Sequence, residues 1–122
     1  MLNNVILQGT LTKDIDLRYT NSGTAVGNFT LASERNFTGK DGKKETDFVD
    51  CTVWGKKAEA MAKYLGKGDG VIVKGELQQD KWQNDDGKNR SKLKVNVAEF
   101  NFPLSNGKKK ESFDADEFDT PF

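Results

Sequence analysis

The sequence predicts a small all-β protein, a barrel of five strands with one short helix between the third and fourth strands. Apolar residues alternate with polar ones over short stretches, as in strands that bury one face. Glycine-containing turn sequences separate these stretches. Only residues 56–68 show the apolar spacing of a helix, with Gly66 and Gly68 as stop signals. These observations together predict the fold class.

The first two predicted strands flank a turn at residues 21–23. Residues 4–20 have an apolar run followed by weak alternation, which indicates a long, bent strand. In the second strand, residues 24–37, Phe29 belongs to the apolar face and is expected in the core. Gly27 in the same strand suggests a bulge or a tight bend.

The third strand, "DFVDCTVWGK", follows a lysine-rich hairpin loop. Its even positions include two large aromatics, Phe48 and Trp54. Its odd positions carry small apolar residues: Val49, Cys51 and Val53. Because side chains alternate between faces, the odd set is expected to line the core while the aromatics share the opposite, polar face. A single cysteine cannot form an internal disulfide, so Cys51 is expected to be a small buried residue.

The helix and the last two strands complete the barrel. The helix is expected to bury its spaced apolar residues and to pack Tyr64. Residues 70–82 and 91–102 read as strands on either side of a loop that contains Asp86-Gly87. Three alternate residues of the last strand are expected inward: Leu93, Val95 and Val97.

This order of elements matches the five-stranded OB barrel, whose sheet face and hairpin loops bind oligonucleotides or oligosaccharides. Other small β-barrels would also fit the pattern. Periodicity ends near Leu104. We therefore predict an OB domain at residues 1–104, a short flexible linker at 105–113 and a disordered acidic tail at 114–122.

The charge is unevenly divided along the chain. Nineteen basic and nineteen acidic residues give a formal net charge of zero. Residues 106–122 contain three lysines and five carboxylates, so they carry −2 and leave +2 for residues 1–105. This division is typical of a mildly basic body with an acidic interaction tail.

Catalysis, cofactors and metals are not expected. The chain has no histidine and one cysteine, so a zinc site or an imidazole acid-base pair is excluded. It also lacks the spacing of a phosphate-binding loop or a dinucleotide fingerprint. Without a membrane-length apolar run or a signal-peptide pattern, we expect a cytoplasmic protein with no membrane partner.

Four aromatic residues stand near basic residues: Phe37, Phe48, Trp54 and Trp82. Single strands of nucleic acid are bound in this way, because bases stack on aromatic rings while cations follow the phosphates. Exposed aromatics also form protein interfaces, so an OB adaptor for proteins remains an alternative. RNA as the main ligand is another.

The sequence resembles the bacterial-type single-stranded DNA-binding proteins over essentially its whole length. The matching stretches are "NNVILQGTLTKDIDLRYTNSGTAVGNFTLAS", "TDFVDCTVWGKKAEAMAKYLGKGDGVIVKGEL", "KWQNDDGKNR" and "DTPF". The resemblance implies an OB fold, usually a homotetramer, that binds single-stranded DNA with little sequence preference in replication, recombination and repair.

The resemblance also implies roles for individual residues. The four aromatics stand where the family places its base-stacking residues, although many members carry tryptophan at positions 37 and 48. The expected phosphate contacts are Arg35, Lys43, Lys56, Lys74, Lys81 and Arg90.

The resemblance extends to the end of the chain, where a tip is expected to recruit replication, recombination and repair proteins. Thr120 replaces the usual Ile or Leu, and the short linker looks more like phage- or plasmid-borne members. The tip comprises Asp116, Glu117, Phe118, Asp119, Thr120, Pro121 and Phe122.

Overall fold

The computed structural model describes residues 1–103, except the side chains of Phe37 and Thr38. The predicted linker at 105–113 and the acidic tail at 114–122 lie outside the described residues, as does Leu104. The described chain forms β1 (Val5–Leu11), β2 (Asp16–Tyr19), β3 (Ala25–Thr38), β4 (Lys44–Trp54), α1 (Lys56–Tyr64), β5 (Gly70–Gln83) and β6 (Asn89–Asn101).

The strands form one sheet that closes on itself. Its order is β1-β5-β6-β4-β3-β2, and an additional pairing of β1 with β3 closes the barrel. The pairings are antiparallel except that of β4 with β6, which is parallel. A single short helix between β4 and β5 completes the predicted OB-type barrel, so the fold class is confirmed.

The first predicted strand is bent, and the bend divides it into β1 and β2. Both parts pair with β3, through Leu11↔Leu31 and Asp16↔Asn28. The six residues from Leu11 to Asp16 therefore span the same length as the four from Leu31 to Asn28 on β3. The extra residues at the bend lie outside the ladder with β3, so the bent first strand of the five-stranded barrel is divided into two and the sheet has six strands.

The three predicted hairpin turns share one geometry. Each ends in a glycine with positive φ, 87° at Gly23, 80° at Gly42 and 81° at Gly87. The amide of each glycine donates to the carbonyl three residues earlier, at 2.8 to 3.0 Å. L-residues with a side chain rarely adopt this φ, so glycine fixes the position of each turn in the sequence.

The core fills the barrel with apolar side chains from every main strand and the helix. The fully buried set includes Leu31, Val53, Val71 and Val73, each with 0% exposure. Cys51 is buried as predicted, and burial raises the pKa of its thiol to about 12. A thiol with so high a pKa stays neutral near pH 7 and behaves as a small apolar group.

Helix α1 packs one face on the barrel. Ala58 and Met61 are fully buried, as the spacing predicts, and the Leu65 amide donates to the Met61 carbonyl at 2.9 Å where the helix ends. The expectation that Tyr64 packs is wrong: it is 52% exposed, and the Lys63 ammonium lies 5.3 Å from its ring centre. No helix in residues 1–103 is long and apolar enough to cross a membrane.

Of the two features that Gly27 suggested, a bulge or a tight bend, the bulge is absent. Gly27 pairs in regular register with Leu17 on one side and Val53 on the other. A Cβ at this position would lie 3.1 Å from side-chain carbons of both Ile15 and Val53. Glycine therefore allows Ile15 and Val53 to approach closely, and the register shift of β3 lies further along, between Glu34 and Thr38.

The expectation that Leu93 points into the core is also wrong. Leu93 is 59% exposed, whereas Val95 and Val97 are buried. Beyond Gly75, β5 no longer pairs with β1, and β6 pairs with β4 only from Val95 to Val97. Residues 76–94 therefore extend past the barrel as a two-stranded hairpin, the β5–β6 arm. Alternation continues along this arm, but no core lies beneath it.

Candidate nucleic-acid interface

Two aromatic rings project from β4 because of its strict alternation. Cys51 and Val53 point into the core, so Phe48 and Trp54 point away from it. Their exposed fractions are 68% and 47%. Both rings are therefore available to a ligand on the outer surface of the sheet.

Trp82 projects from the β5–β6 arm toward the same side. Cross-strand contacts identify the side: the Lys92 ammonium lies 3.2 Å from Asp50, a residue on the Phe48 face of β4. Lys92 pairs directly with Asp80 across the arm, so both side chains lie on one face. Trp82 is two residues after Asp80 on β5 and therefore lies on that face as well. Phe48, Trp54 and Trp82 thus share one surface, which we call the aromatic face.

A groove of about 310 Å³ crosses the aromatic face between these rings. Its walls come from the β1–β2 bend, β3, β4 and the β5–β6 arm. Its charged lining comprises Lys13, Asp14, Asp16, Asp50, Asp80, Lys92 and Lys94. Most of the lining is thus polar or charged, and the positions of Phe48, Trp54 and Trp82 neighbour the lining residues of β4 and β5 in the sequence.

Hydrogen bonds between neighbouring strands order the floor of the groove. The Thr52 hydroxyl donates to the Asn28 side chain at 2.9 Å, and the Thr30 hydroxyl donates to Asp50 at 2.9 Å. Asn96 lies in register with Thr52, and its Oδ1 is the buried side-chain polar atom without a partner among residues 1–103. The floor therefore offers a fixed polar surface between the rings.

Ion pairs set the charge state of the groove. The Thr30 hydroxyl, and then the Lys92 ammonium, hold the pKa of the Asp50 carboxyl below its ordinary value, although burial opposes them. A second pair joins Lys94 and Asp80 at 3.1 Å. Asp50 is consequently ionised at neutral pH, and both lysines face a carboxylate.

The predicted phosphate contacts are not all near this face. Arg90 lies directly opposite Trp82 across the arm, and both line a cavity of about 490 Å³. Lys81 lines the same cavity but alternates to the opposite face of β5 from Trp82. Lys56 is exposed at the start of α1, two residues after Trp54, and Lys43 is exposed at the end of the β3–β4 turn.

Arg35 and Lys74 lie elsewhere. Arg35 forms ion pairs with Asp47 at 3.0 Å and Glu45 at 2.8 Å, on the opposite face of β4 from Phe48. Lys74 lies on the barrel wall, in register with Ile6 of β1. The backbone of Phe37 belongs to β3 beside the register shift, but its side chain lies outside the described part of the structure.

The sequence-based site omitted Lys92 and Lys94, which line the groove in the structure. The signal for them was present, because both alternate outward with the buried Val95 and Val97. No metal-binding group of three acidic, cysteine or histidine side chains occurs within residues 1–103.

The chain matches a family model and is similar to several known proteins. The family model described as the single-strand binding protein family matches residues 2–103. A single-stranded DNA-binding protein of Enterococcus faecalis is 53% identical over 87 residues, 71% of this chain and 46% of the relative. Single-stranded DNA-binding protein 2 of Listeria monocytogenes is 50% identical over 88 residues, 72% of this chain and 55% of the relative.

A shorter relative shows the same likeness. Single-stranded DNA-binding protein 1 of Streptococcus pyogenes is 46% identical over 87 residues, 71% of this chain and 67% of the relative. The matched region of this chain spans about half the length of the Enterococcus and Listeria proteins. The likeness therefore concerns the barrel domain.

Proposed function

Since this chain belongs to the single-strand binding protein family, we propose that it binds single-stranded DNA with little sequence preference. It would coat and protect strands exposed in the cytoplasm during replication, recombination and repair, without catalysis and without a cofactor. The observation that carries this proposal is the aromatic face, where Phe48, Trp54 and Trp82 are each about half exposed or more.

The geometry suits unpaired strands for a physical reason. Bases in a duplex are already stacked and paired, whereas those of a single strand can stack on protein rings. Each such contact is worth about 1 to 3 kcal/mol and is tolerant of sequence, because every base has a π-face. Binding only the unpaired state shifts the pairing equilibrium by mass action, so hairpins are removed without ATP.

The alternative of a protein-binding adaptor is less consistent with the groove. Cores of protein interfaces are depleted in charged residues. Here two lysines and two aspartates occupy the centre of the surface, between Phe48 and Trp82. A charged centre flanked by exposed rings favours a ligand with both flat bases and phosphates.

A competition experiment tests the proposal. Fluorescent oligo-dT bound to the protein is challenged with unlabelled oligo-dT, a duplex of the same length, or oligo-U, and anisotropy is recorded. We expect displacement by oligo-dT at far lower concentration than by duplex. Equal displacement by duplex would contradict the proposal, and preferential displacement by oligo-U would identify RNA as the ligand.

We also propose that the chain assembles into a homo-oligomer, with a tetramer expected. Ile6, Leu77 and Leu93 are 65%, 43% and 59% exposed. Leu77 and Leu93 alternate to the face of the β5–β6 arm opposite Trp82. Apolar residues so placed could join copies without covering the aromatic face.

Replacing both Leu77 and Leu93 with serine is expected to lower the mass in sedimentation velocity. The side chains are exposed in the single chain, so its fold should be kept, as circular dichroism would show. An unchanged mass with intact fold would exclude this face as the assembly surface.

Recruitment of partner proteins by the tip at residues 116–122 is a further part of the proposal, and these residues lie outside the described structure. Its support is the sequence, which places acidic groups and the pair Pro121-Phe122 beyond the barrel domain. An apolar pocket rimmed by basic residues would accommodate such an end.

Deleting residues 116–122 should abolish capture of replication and repair proteins while leaving oligo-dT affinity equal or slightly higher. The slight rise is expected because the acidic tip would no longer compete with phosphates for the basic groups of the barrel. Pull-down and anisotropy with the same preparation check both results. A large loss of oligo-dT affinity would contradict this division of roles.

A further inference from the structure

Two ion pairs occupy the part of the groove where a bound strand would run. Asp50 is two residues after Phe48 on β4, on the same face of the strand. Asp80 is two residues before Trp82 on β5, again on the same face. Their partners, Lys92 and Lys94, come from β6, which lies between those strands. A strand stacked on both rings would therefore pass its phosphates over these four side chains.

The other two aspartates of the groove are already engaged outside it. Asp14 accepts a hydrogen bond from the Lys67 amide at 2.8 Å, and Asp16 pairs with Arg18 at 3.2 Å. Of the groove carboxylates, Asp50 and Asp80 are thus the ones that neutralise groove lysines. Their side chains remain 46% and 36% exposed, and those of Lys92 and Lys94 are 50% and 17% exposed. The pair of Lys92 is therefore open to a ligand, and that of Lys94 is reached mainly through Asp80.

We propose that Lys92 and Lys94 contact the phosphates of a bound strand, and that Asp50 and Asp80 hold and mask these lysines in the free protein. Binding then exchanges a carboxylate partner for a phosphate partner at each lysine. This inference rests on the proposed function and adds to it a control of affinity and of salt dependence.

The exchange has a consequence for counterions. A lysine that neutralises a phosphate of single-stranded DNA normally releases about 0.7 of a bound cation. Here part of this release is offset, because the aspartate that loses its lysine regains a negative charge that attracts cations weakly and repels the nearby phosphate. Lys92 and Lys94 should therefore add less than about 0.7 each to the salt dependence while the aspartates are present.

Removing the carboxylate charges should reveal both contacts. Asp50→Asn keeps an oxygen that can accept the Thr30 hydroxyl, and Asp80→Asn is equally conservative in shape. Each change should raise oligo-dT affinity up to about fivefold, the range of an exposed ion pair. Each should also steepen the log-log dependence of affinity on salt by up to about 0.7, and the double variant by up to about 1.4.

The matched control is Glu59→Gln, which removes the same charge from α1, where Glu59 accepts the Tyr19 hydroxyl at 2.8 Å. It should leave the salt slope unchanged. Adding Lys92→Gln to Asp50→Asn should bring the slope back to the wild-type value or below it. Anisotropy titrations with oligo-dT at several salt concentrations measure all of these, with circular dichroism to confirm the fold.

Slopes for Asp50→Asn and Asp80→Asn that equal those of wild type and Glu59→Gln would overturn the inference, while wild-type binding would leave the proposed function intact. A slope that stays steep in the Lys92→Gln/Asp50→Asn protein would likewise show that Lys92 is not the contact. Absence of oligo-dT binding by the wild-type protein would instead contradict the proposed function itself.

Discussion

Replacing Trp54 or Trp82 with alanine should lower the affinity for oligo-dT about fivefold to 150-fold. The estimate follows from the roughly 1 to 3 kcal/mol that one stacked base contributes. Both rings are about half exposed and neither belongs to the buried core cluster, so the fold should be kept. Changing both residues should lower affinity by at least about 25-fold if their effects add.

The matched control is Tyr64→Ala. Tyr64 is 52% exposed and lies beside the Lys63 ammonium, so it offers a ring and a cation but stands on α1, away from the groove. Its loss should leave affinity within a factor of about two. Anisotropy of labelled oligo-dT is the suitable measurement, since tryptophan emission changes in the variants. An equal loss in Tyr64→Ala would contradict a specific role for the aromatic face.

Replacing Gly75 with alanine should destabilise the protein by at least about 3 kcal/mol, a large part of the 5 to 15 kcal/mol typical of a domain. A Cβ at Gly75 would lie 2.0 Å from the carbonyl oxygen of Asn96 and 2.8 Å from its carbon. Backbone atoms of a paired strand cannot move aside as a side chain can. The clash falls at the register shift where β5 leaves the barrel for the arm.

Gly66→Ala is the control for this change. Its Cβ would lie 3.1 Å from the Asp14 carboxylate oxygen, the end of a side chain that can shift. Urea denaturation at fixed protein concentration, followed by circular dichroism, should show a much lower midpoint for Gly75→Ala than for Gly66→Ala. Similar midpoints would mean that β6 can separate from β5 at little cost.

Much of the barrel could be predicted because its local signals agree. Strict alternation in β4 placed Cys51 inward and Phe48 outward, and the glycines of the three turns fixed where the strands end. Each of these features depends on near neighbours in the chain. The same local patterns predicted the helix and the burial of Met61.

The errors arose where the outcome depends on distant parts of the chain. Leu93 follows the alternation of a core strand, but the arm has no third strand or helix beneath it. The side chains of Ile15 and Val53 approach Gly27 closely, and no strand pattern reveals that approach. Tyr64 lies beside the buried stripe of α1, between the buried Met61 and Leu65, and points to solvent.

The site shows the same division between local and distant determinants. The rings of the aromatic face could be chosen from sequence, since an aromatic on the polar side of a strand is conspicuous. The pairing of Asp50 with Lys92 could not, because 42 residues separate them and only the parallel β4–β6 contact brings them together. Arg35 looked free in the sequence but has two carboxylate partners on the other face.

The central claim is that bases of a single strand stack on the aromatic face, and the most direct measurement follows the rings themselves. Wild-type protein, excited at tryptophan wavelengths, is titrated with long oligo-dT. Stacking on Trp54 and Trp82 predicts strong, saturable quenching of their emission. Emission that stays unchanged while circular dichroism shows a folded protein would contradict the account.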